Sequence, residues 1–408
     1  MTTAAYEASI PEAIKGIKVI DVDTHFTEPP DLWTSRAPAK YKDHVPYVKR
    51  TDGVDQWFFA DKPMGPVSIT VISKGHKKNY GIVTLDRYDE VDEATYDPAA
   101  RTALMDEMGV WGQIVFPNAA GFSGNNFATL VPEDMRNLCV RMYNDAISDW
   151  QQASGNRLFP QALVPFWDIK EATREAQRIK EELGLTGIAA ASAPETWGLP
   201  DYGDTAWDPF WEVCSELNIP INFHIGGGAV DGGMRWKSFG LNALEPGQFA
   251  AARGTRMMAP IAAGALMGAL MNARVLINLI YSGMLDRWPK LKFVSIESGV
   301  GWIPFFLEMA EYQFDEMTSD DRWGLKLRPR EYFQRHMYAS WWFEDFGPRH
   351  ALRTIGINNV LFETDFPHPT CLYPGTMKHL VDVLQDYTWE ERKRILQDNA
   401  VELYNLPV

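Results

Sequence analysis

The feature that most constrains the fold is a recurring pair: a short apolar run, then a stretch with helical periodicity. The runs lie at 18–25, 112–118, 158–166, 187–192, 221–227, 292–298, 336–343 and 359–367. Strands that alternate with helices favour a parallel sheet. Eight such units in 408 residues predict an α/β fold of the (β/α)8 TIM-barrel type. A doubly wound open sheet is the alternative, but no GxGxxG follows the first strand.

The segment 34–100 interrupts this alternation directly after the first predicted strand. It is polar, contains Pro and Gly, and includes short alternating runs such as QWFFADKPMGPVSITVIS. We interpret it as an inserted lid or small subdomain with some β structure. The predicted barrel therefore comprises residues 1–33 and 101–408, with further loop excursions at 228–256 and 316–333.

Charge and cysteine content narrow the class of protein. The net charge is −15 and no basic stripe stands out, so nucleic acid is not an expected partner. The three cysteines have no CxxC spacing, and the N-terminus lacks a signal-peptide pattern, so a reducing cytoplasm is expected. The longest apolar run, 257–271, is too short to span a bilayer, and we expect a buried helix there and no membrane partner.

Chemically active side chains end four of the predicted strands. In a parallel barrel the carboxyl ends of all strands meet at one face, where catalytic groups collect. Residues two apart on a strand share a face, so Asp23 and His25 converge at the end of the first strand. The other members of the set are His224, Glu297, Asp365 and, just beyond the last strand, His368.

Burial of these groups is costly unless they are paired or bound to a cation. A lone buried histidine, such as His224 taken alone, is as often structural as functional. Six groups at four strand ends are harder to explain without a metal. A divalent cation would neutralise Asp23, Glu297 and Asp365 and be bound by His25 and His224. Mixed nitrogen and oxygen ligands suit Zn, Mn, Fe or Co.

Three sequence segments resemble the amidohydrolase superfamily. They are DVDTHFTEPPDLW (21–33), GMLDRWPKLKFVSIESG (283–299) and FETDFPHP (362–369). More narrowly, the chain is similar to the amidohydrolase-related branch, which includes aminocarboxymuconate semialdehyde, γ-resorcylate and 5-carboxyvanillate decarboxylases. The resemblance covers roughly residues 15–30 and 100–405.

The resemblance implies a metal site at the C-terminal face of the barrel and frequent homodimers. Asp23 and His25 match the carboxylate-x-His form of the family's first strand, while His224 and Asp365 match the metal residues of strands 5 and 8. Three departures stand out. Glu297 occupies the position where the decarboxylases have a catalytic histidine, His368 follows strand 8 closely, and GIAAAS has no lysine to bridge two metals.

Three functions remain open from the sequence. In the first, Asp23, His25, His224 and Asp365 hold one catalytic metal, and Glu297 or His368 transfers the proton, for hydrolysis or non-oxidative decarboxylation of a small organic substrate. In the second, all six residues hold two metals, as in a dinuclear Fe/Fe or Fe/Mn monooxygenase. In the third, the chain is a structural subunit paired with an active homologue, which the nearly complete ligand set argues against.

Several further residues receive predicted roles. Trp341 and Trp342 end strand 7, and one of them is expected to face the barrel mouth as a substrate wall. Arg253 and Arg256 are hypothetical partners of a substrate carboxylate. The groups below or beside the ligands are expected to orient them or to make loop hydrogen bonds; these are Asp21, Glu363 and Glu28. A homodimer, or pairing with a homologous subunit, is the expected assembly.

Overall fold

The computed structural model describes residues 3–228, 258–318 and 321–408. Within these ranges the strands are Ile20–His25 (β1), Tyr47–Thr51 (β2), Val54–Phe59 (β3), Lys62–Pro66 (β4), Ile72–Ser73 (β5), Lys77–Lys78 (β6), Gly112–Phe116 (β7), Leu158–Pro160 (β8), Ala162–Leu163 (β9), Ile188–Ala189 (β10), Ile221–His224 (β11), Phe293–Ile296 (β12), Met337–Trp341 (β13) and Val360–Phe362 (β14). Every predicted barrel run contains one of these strands.

The barrel strands pair in parallel, in chain order. One sheet has the order β1-β7-β8, and the other has β14-β13-β12-β11-β10-β9. Only Gln161 separates β8 from β9, so the two sheets continue into each other. The ring closes where His25 N–H donates to the Phe366 carbonyl and Asp365 N–H donates to the Asp23 carbonyl. The predicted (β/α)8 barrel is confirmed.

Helices follow the barrel strands and cover their outer side. The longer ones are Pro98–Met108, Glu133–Ala153, Ile169–Glu181, Asp208–Glu216, Ala259–Tyr281, Ile303–Met317, Pro329–His336 and Thr376–Val383; shorter ones are Ala4–Ser9, Leu32–Arg36, Asn125–Leu130, Met284–Arg287, Leu352–Ile355, Trp389–Lys393 and Asn399–Tyr404. Ile169–Glu181 shows why such segments are helical. Asp168 caps its N-terminus by accepting from the backbone N–H groups of Lys170 and Glu171, and one face is apolar and buried.

The segment between β1 and the first long helix forms small antiparallel sheets. β2, β3 and β4 pair as one sheet, and β5 pairs with β6. The alternating burial of β3 places Trp57 and Phe59 against the barrel core. The segment therefore has the expected β structure, while its function as a lid stays a prediction.

The apolar segment after β11 differs from the expected buried helix. Ala259–Tyr281 has 23 residues, and Pro260 stands in its first turn, where it does not interrupt the helix. By length and composition the part Ile261–Tyr281 is apolar enough to cross a membrane, and only 28% of its most apolar window is buried. The expectation of a buried helix is thus wrong, because the outer side of this helix has no cover within the described residues.

Candidate metal centre

Two ligand candidates come from β1, all of whose residues are buried. The pairing of β1 with β7 shifts register between Asp21 and Thr24, an irregularity of the kind that re-aims side chains near functional sites. Asp23 and His25 then point to the same side, with 3.5 Å between Asp23 Oδ1 and His25 Nε2. The two side chains therefore converge, as the sequence predicted.

His224, the last residue of β11, completes this group. Its Nε2 lies 3.2 Å from His25 Nε2 and 3.4 Å from Asp23 Oδ1. On the other side of each ring, Nδ1 faces a backbone carbonyl oxygen. His224 Nδ1 lies 2.7 Å from that of Ile225, and His25 Nδ1 lies 3.3 Å from that of Pro117. Such a carbonyl keeps the proton on Nδ1, so both Nε2 lone pairs point to the shared centre.

Two further carboxylates occupy strained backbone positions just past strand ends. Glu297 follows β12 with φ 54°, and Asp365 follows β14 with φ 59°. Positive φ is unfavourable for residues other than glycine and concentrates at functional sites. Glu297 Oε2 lies 3.4 Å from His224 Nε2, and Asp365 Oδ1 lies 3.8 Å from His25 Nε2. The strain thus brings both carboxylates to the same centre.

The donor atoms fit a divalent cation. Ligating atoms within 4.8 Å of one another occur in three overlapping trios: Asp23, His25 and His224; His25, Asp365 and His368; and Asp23, Glu297 and Asp365. Both carboxylate oxygens of Asp23 are buried, and neither has a hydrogen-bond donor among the described residues. Neighbouring ligands of one ion with bonds of about 2.1 Å lie about 3 Å apart, close to the spacing between Asp23, His25 and His224.

Electrostatics favour the same conclusion. Burial, with the nearby Asp365 and Asp21 carboxylates, raises the pKa of Asp23 well above its usual value. Burial also lowers the pKa of His224 to about 4 and that of His25 well below its ordinary range. The imidazoles are therefore neutral and ready to bind a metal.

His368 lies at the edge of the cluster. Its Nδ1 is 2.9 Å from Asp365 Oδ1, and its Nε2 is 3.0 Å from Asn118 Oδ1. Its ring stacks on that of His25, with 3.7 Å between centroids. The structure therefore brings together all six predicted residues, with His368 held between Asp365 and Asn118.

Comparison with known proteins agrees with this geometry. The sequence profile of the amidohydrolase family matches residues 20–406. The chain belongs to the amidohydrolase family. The predicted family membership is confirmed, and the match spans every barrel strand and all six residues of the cluster.

The relatives of this amidohydrolase include several decarboxylases. Gamma-resorcylate decarboxylase of Rhizobium sp. (strain MTP-10005) is 23% identical over 343 residues, 80% of this chain and 93% of the relative. An amidohydrolase structure from Mycobacterium avium subsp. paratuberculosis K-10 has a TM-score of 0.68 at 19% identity, covering 95% of this chain and 99% of that chain. Dihydroxybenzoic acid decarboxylase from Polaromonas sp. JS666, with bound manganese and 2-nitroresorcinol, has a TM-score of 0.60 at 18% identity, covering 95% and 97%.

Beneath the cluster of this amidohydrolase, Asp21 makes hydrogen bonds of the kind that orient ligands. It accepts from Thr364 N–H at 2.8 Å and Thr364 Oγ1 at 2.6 Å, which ties β1 to the segment carrying Asp365. It also accepts from Gln113 Nε2 at 3.2 Å. Likewise, Glu363 Oε2 accepts the backbone N–H of Glu297 at 3.2 Å. Both groups lie where orienting partners were expected.

Sequence reasoning missed two residues that shape the cluster. The Phe122 ring, only partly buried, lies 5.0 Å from the His25 ring and 4.4 Å from the His224 ring. The fully buried Arg101 donates to the His25 carbonyl at 2.6 Å and to Gln113 Oε1 at 3.0 Å. Neither lies at a strand end, so the pattern that identified the ligands gave no signal for them.

The predicted substrate residues have mixed outcomes. Trp341 is fully buried and packs against Phe362 and His379, on the side of the outer helices. Of the two tryptophans predicted as a substrate wall, Trp341 is therefore not the one that faces the barrel mouth, since alternate strand residues face opposite sides and Ser340, with a bond to the Ser295 carbonyl, faces inward. Trp342 is 6% exposed, and its role as a substrate wall stays a prediction. Arg253 and Arg256 lie outside the described residues.

Glu28 combines a loop hydrogen bond with an unpaired oxygen. Its Oε1 accepts the backbone N–H groups of Asn118 at 2.8 Å and Ala119 at 2.9 Å, which is the expected loop role. Its Oε2 is buried without a donor. Burial raises the pKa of Glu28 to about 7.

Proposed function

We propose that this amidohydrolase catalyses the metal-dependent, non-oxidative decarboxylation of an aromatic carboxylate. The observation that carries the proposal is the buried donor set at the C-terminal end of the barrel. There, Asp23 has two oxygens that no donor in the described part of the chain reaches, and Glu297 lies beside His224. Support comes from relatives named for decarboxylation of gamma-resorcylate and dihydroxybenzoic acid. Hydrolysis of a small organic substrate is the alternative reaction on the same site.

The protein groups nearest the centre would hold the metal. Asp23, His25, His224 and Asp365 supply two imidazole nitrogens and two carboxylates, a set suited to Zn, Mn or Fe. When bound, the ion would act as a Lewis acid toward the substrate's oxygen atoms. The backbone carbonyls at Pro117 and Ile225 keep the two imidazoles oriented for this purpose.

Glu297 is the proton donor in this proposal. Decarboxylation breaks the bond between the ring carbon and the carboxylate, CO2 leaves, and a proton must reach that carbon. Burial, with the nearby Asp365, Asp23 and Glu363, raises the pKa of Glu297 well above its usual value, which favours the protonated carboxyl that a proton donor needs. It therefore takes the role that the decarboxylases of this branch give to a histidine at this position. His368 between Asp365 and Asn118 is placed to pass protons toward the cluster.

An apolar aromatic surface borders the same space. Phe122 lies over the rings of His25, His224 and His368, and its partial exposure leaves a face for a substrate ring. Aromatic pairs favour offset or tilted packing and exclude water from the reacting carbon. This wall suits an aromatic acid better than a small aliphatic amide.

Metal stoichiometry separates one ion from the two-ion alternative. The spacing between Asp23, His25 and His224 suits a single ion, whereas a dinuclear site would require Glu297 and His368 as ligands of a second one. We expect one equivalent of Mn, Zn or Fe in protein purified without chelator. Two equivalents including iron, with an optical change on exposure to oxygen, would favour a monooxygenase instead.

The deciding experiment uses manganese-loaded protein and a panel of hydroxybenzoates that includes 2,6-dihydroxybenzoate. We expect release of CO2 with formation of the phenol, loss of activity on chelation, and recovery when manganese is restored. A parallel panel of amides, esters and lactones tests hydrolysis. Turnover of that panel without CO2 release from any hydroxybenzoate would contradict the decarboxylase proposal.

A further inference from the structure

The loop that follows β7 contacts both of the stacked imidazole rings. The Pro117 carbonyl oxygen lies 3.3 Å from His25 Nδ1, and Asn118 Oδ1 lies 3.0 Å from His368 Nε2. The two rings are nearly parallel, with 3.7 Å between centroids and 17° between planes. Adjacent residues of one loop therefore contact opposite nitrogens of the two histidines, Nδ1 of His25 and Nε2 of His368.

A buried carboxylate fixes this loop to the segment that follows β1. Glu28 Oε1 accepts the backbone N–H groups of Asn118 at 2.8 Å and Ala119 at 2.9 Å, and both Glu28 and Asn118 are buried. The Asn118 carbonyl in turn accepts the N–H of Gly121 at 2.9 Å. The backbone at Asn118 is thus held on both sides, so the place of its side chain does not depend on His368.

The orientation of the Asn118 amide follows from its second contact. Its Nδ2 lies 2.6 Å from the Phe26 carbonyl oxygen, and a carbonyl oxygen only accepts hydrogen bonds. The amide nitrogen must therefore face Phe26, which leaves the amide oxygen facing His368. This oxygen also only accepts, so His368 Nε2 has to carry a hydrogen atom for the contact to form.

The other ring nitrogen of His368 faces the ligands. His368 Nδ1 lies 2.9 Å from Asp365 Oδ1. The second oxygen of this carboxylate, Oδ2, accepts from the Thr370 hydroxyl at 2.7 Å. Because Asn118 occupies Nε2, Nδ1 is the nitrogen of His368 through which a proton can be exchanged with the cluster.

We propose that Asn118 is a positioning residue that keeps a hydrogen on Nε2 of His368 and so directs proton exchange to Nδ1, beside Asp365. The proposal rests on the proposed function, in which His368 passes protons toward the cluster. When Nδ1 gives up its proton, the ring is left neutral with its hydrogen on Nε2, and water returns a proton to Nδ1 before the next turnover. The contact with Asn118 persists in both states, because Nε2 carries a hydrogen in each.

The same loop gives His25 the opposite arrangement. The Pro117 carbonyl keeps the hydrogen of His25 on Nδ1 and leaves Nε2 free for a metal, 3.5 Å from Asp23 Oδ1. A backbone carbonyl at position 117 and a side-chain amide at position 118 therefore distinguish a metal ligand from a proton carrier, although the two rings are stacked on each other.

The test compares Asn118→Leu with a matched control, Asn126→Leu. Leucine is close to asparagine in size, and its side chain neither donates nor accepts hydrogen bonds. Asn126 Nδ2 donates to the Ala119 carbonyl at 3.0 Å, so the control perturbs the same loop and leaves in place the amide that faces His368. Thermal unfolding of both variants shows whether they are folded.

Nitrogen NMR on zinc-loaded protein with ¹⁵N-labelled histidine locates the hydrogen directly. Zinc is diamagnetic and suits the donor set, and His368→Gln assigns the signals. We expect a hydrogen on His368 Nε2 in the wild type and in Asn126→Leu, and its partial or complete transfer to Nδ1 in Asn118→Leu. A bare Nε2 in the wild type, or an unchanged His368 signal in Asn118→Leu, overturns the proposal. The wild-type spectrum decides the matter even if Asn118→Leu does not fold.

Steady-state kinetics on hydroxybenzoates give a second readout. Because a misdirected ring loses part of its contribution to proton transfer, kcat of Asn118→Leu should fall about 10- to 100-fold, with KM and metal content within about twofold of wild type. Asn126→Leu should keep its kcat within the same margin. An equal loss of kcat in both variants would assign the effect to the loop as a whole and overturn the positioning role. If the wild type turns over no hydroxybenzoate, the proposed function fails, while the NMR measurement still tests Asn118.

Discussion

The buried polar groups at the two ends of the barrel interior differ in how completely they are hydrogen-bonded. Below the cluster, Tyr404 donates to Asn222 Oδ1 at 2.6 Å, and Asn222 Nδ2 donates to Gln161 Oε1 at 2.8 Å and to the Ile188 carbonyl at 3.0 Å. At the upper end, Asp23 has two buried oxygens, neither of which accepts a hydrogen bond from residues 3–228, 258–318 or 321–408. Burial of polar atoms alone does not distinguish these layers, because both are almost fully buried.

The difference identifies which layer is functional. Buried polar groups that satisfy one another stabilise a fold and need no ligand. Carboxylate oxygens with no donor carry the full cost of desolvation, which a bound cation removes. The lower layer is therefore structural, and the upper layer is stable in its charged form only with a metal.

The largest expected effect comes from Asp23→Asn. This substitution should weaken metal binding and raise the stability of the metal-free protein. We expect manganese affinity to fall at least about 100-fold and activity about 1000-fold or more, because a ligand is lost. Thermal unfolding of the metal-free protein should occur at a higher temperature, because a repelled buried carboxylate is replaced by a neutral amide. The exposed Asp61→Asn serves as control, and lower stability of the metal-free variant would contradict the interpretation.

Glu297→Gln should separate proton transfer from metal binding. We expect kcat to fall about 100- to 10000-fold, the range for loss of a general acid, while the manganese content stays that of the wild type. The exposed Glu308→Gln is a control for the loss of one carboxylate on an outer helix. If Glu297→Gln also loses its manganese, the carboxylate is a ligand and the proposed proton donor is wrong.

Tyr404→Phe tests the lower layer. The substitution leaves Asn222 Oδ1 without its buried donor, so the free energy of unfolding should fall by about 1–3 kcal/mol. Denaturant unfolding measures this loss. Manganese affinity and kcat should remain within about twofold of wild type, since the hydroxyl bonds Asn222 and not a ligand; a tenfold loss of either would show that the two layers are coupled.

Glu28 is an intermediate case, with one oxygen satisfied and one without a donor. Its pKa is raised to about 7 in the folded protein and is near 4.3 in an unfolded chain. The folded state thus holds this proton more tightly, so stability is highest below the unfolded pKa and falls as pH rises toward 7. Relative to Glu28→Gln, the metal-free wild type should lose about 1–2 kcal/mol of unfolding free energy between pH 5 and 7. Parallel pH profiles for the two proteins would contradict this.

The sequence predicted the barrel and the ligand candidates for the same reason. Apolar runs of strand length, separated by amphipathic helices, specify parallel strands whose carboxyl ends meet, so Asp23, His25 and His224 had to approach one another. Arg101 and Phe122 could not be predicted from the sequence. Arg101 lies on an outer helix and Phe122 in a loop, and only packing brings them next to His25. Trp341 and Trp342 could not be told apart in the sequence, because two consecutive tryptophans do not reveal which of them faces the helices.

The sequence by itself determined the fold class and the residue types gathered at one end of the barrel, since these follow from local periodicity and from strand direction. The family followed from the resemblance of three sequence segments. Only the tertiary structure decided which polar atoms find partners. Tyr404 comes from the last helix to complete the lower layer, while no donor within the described ranges reaches either oxygen of Asp23. It also decided that none of the described segments covers the outer side of Ala259–Tyr281, because the cover of a helix comes from distant segments and not from its own composition.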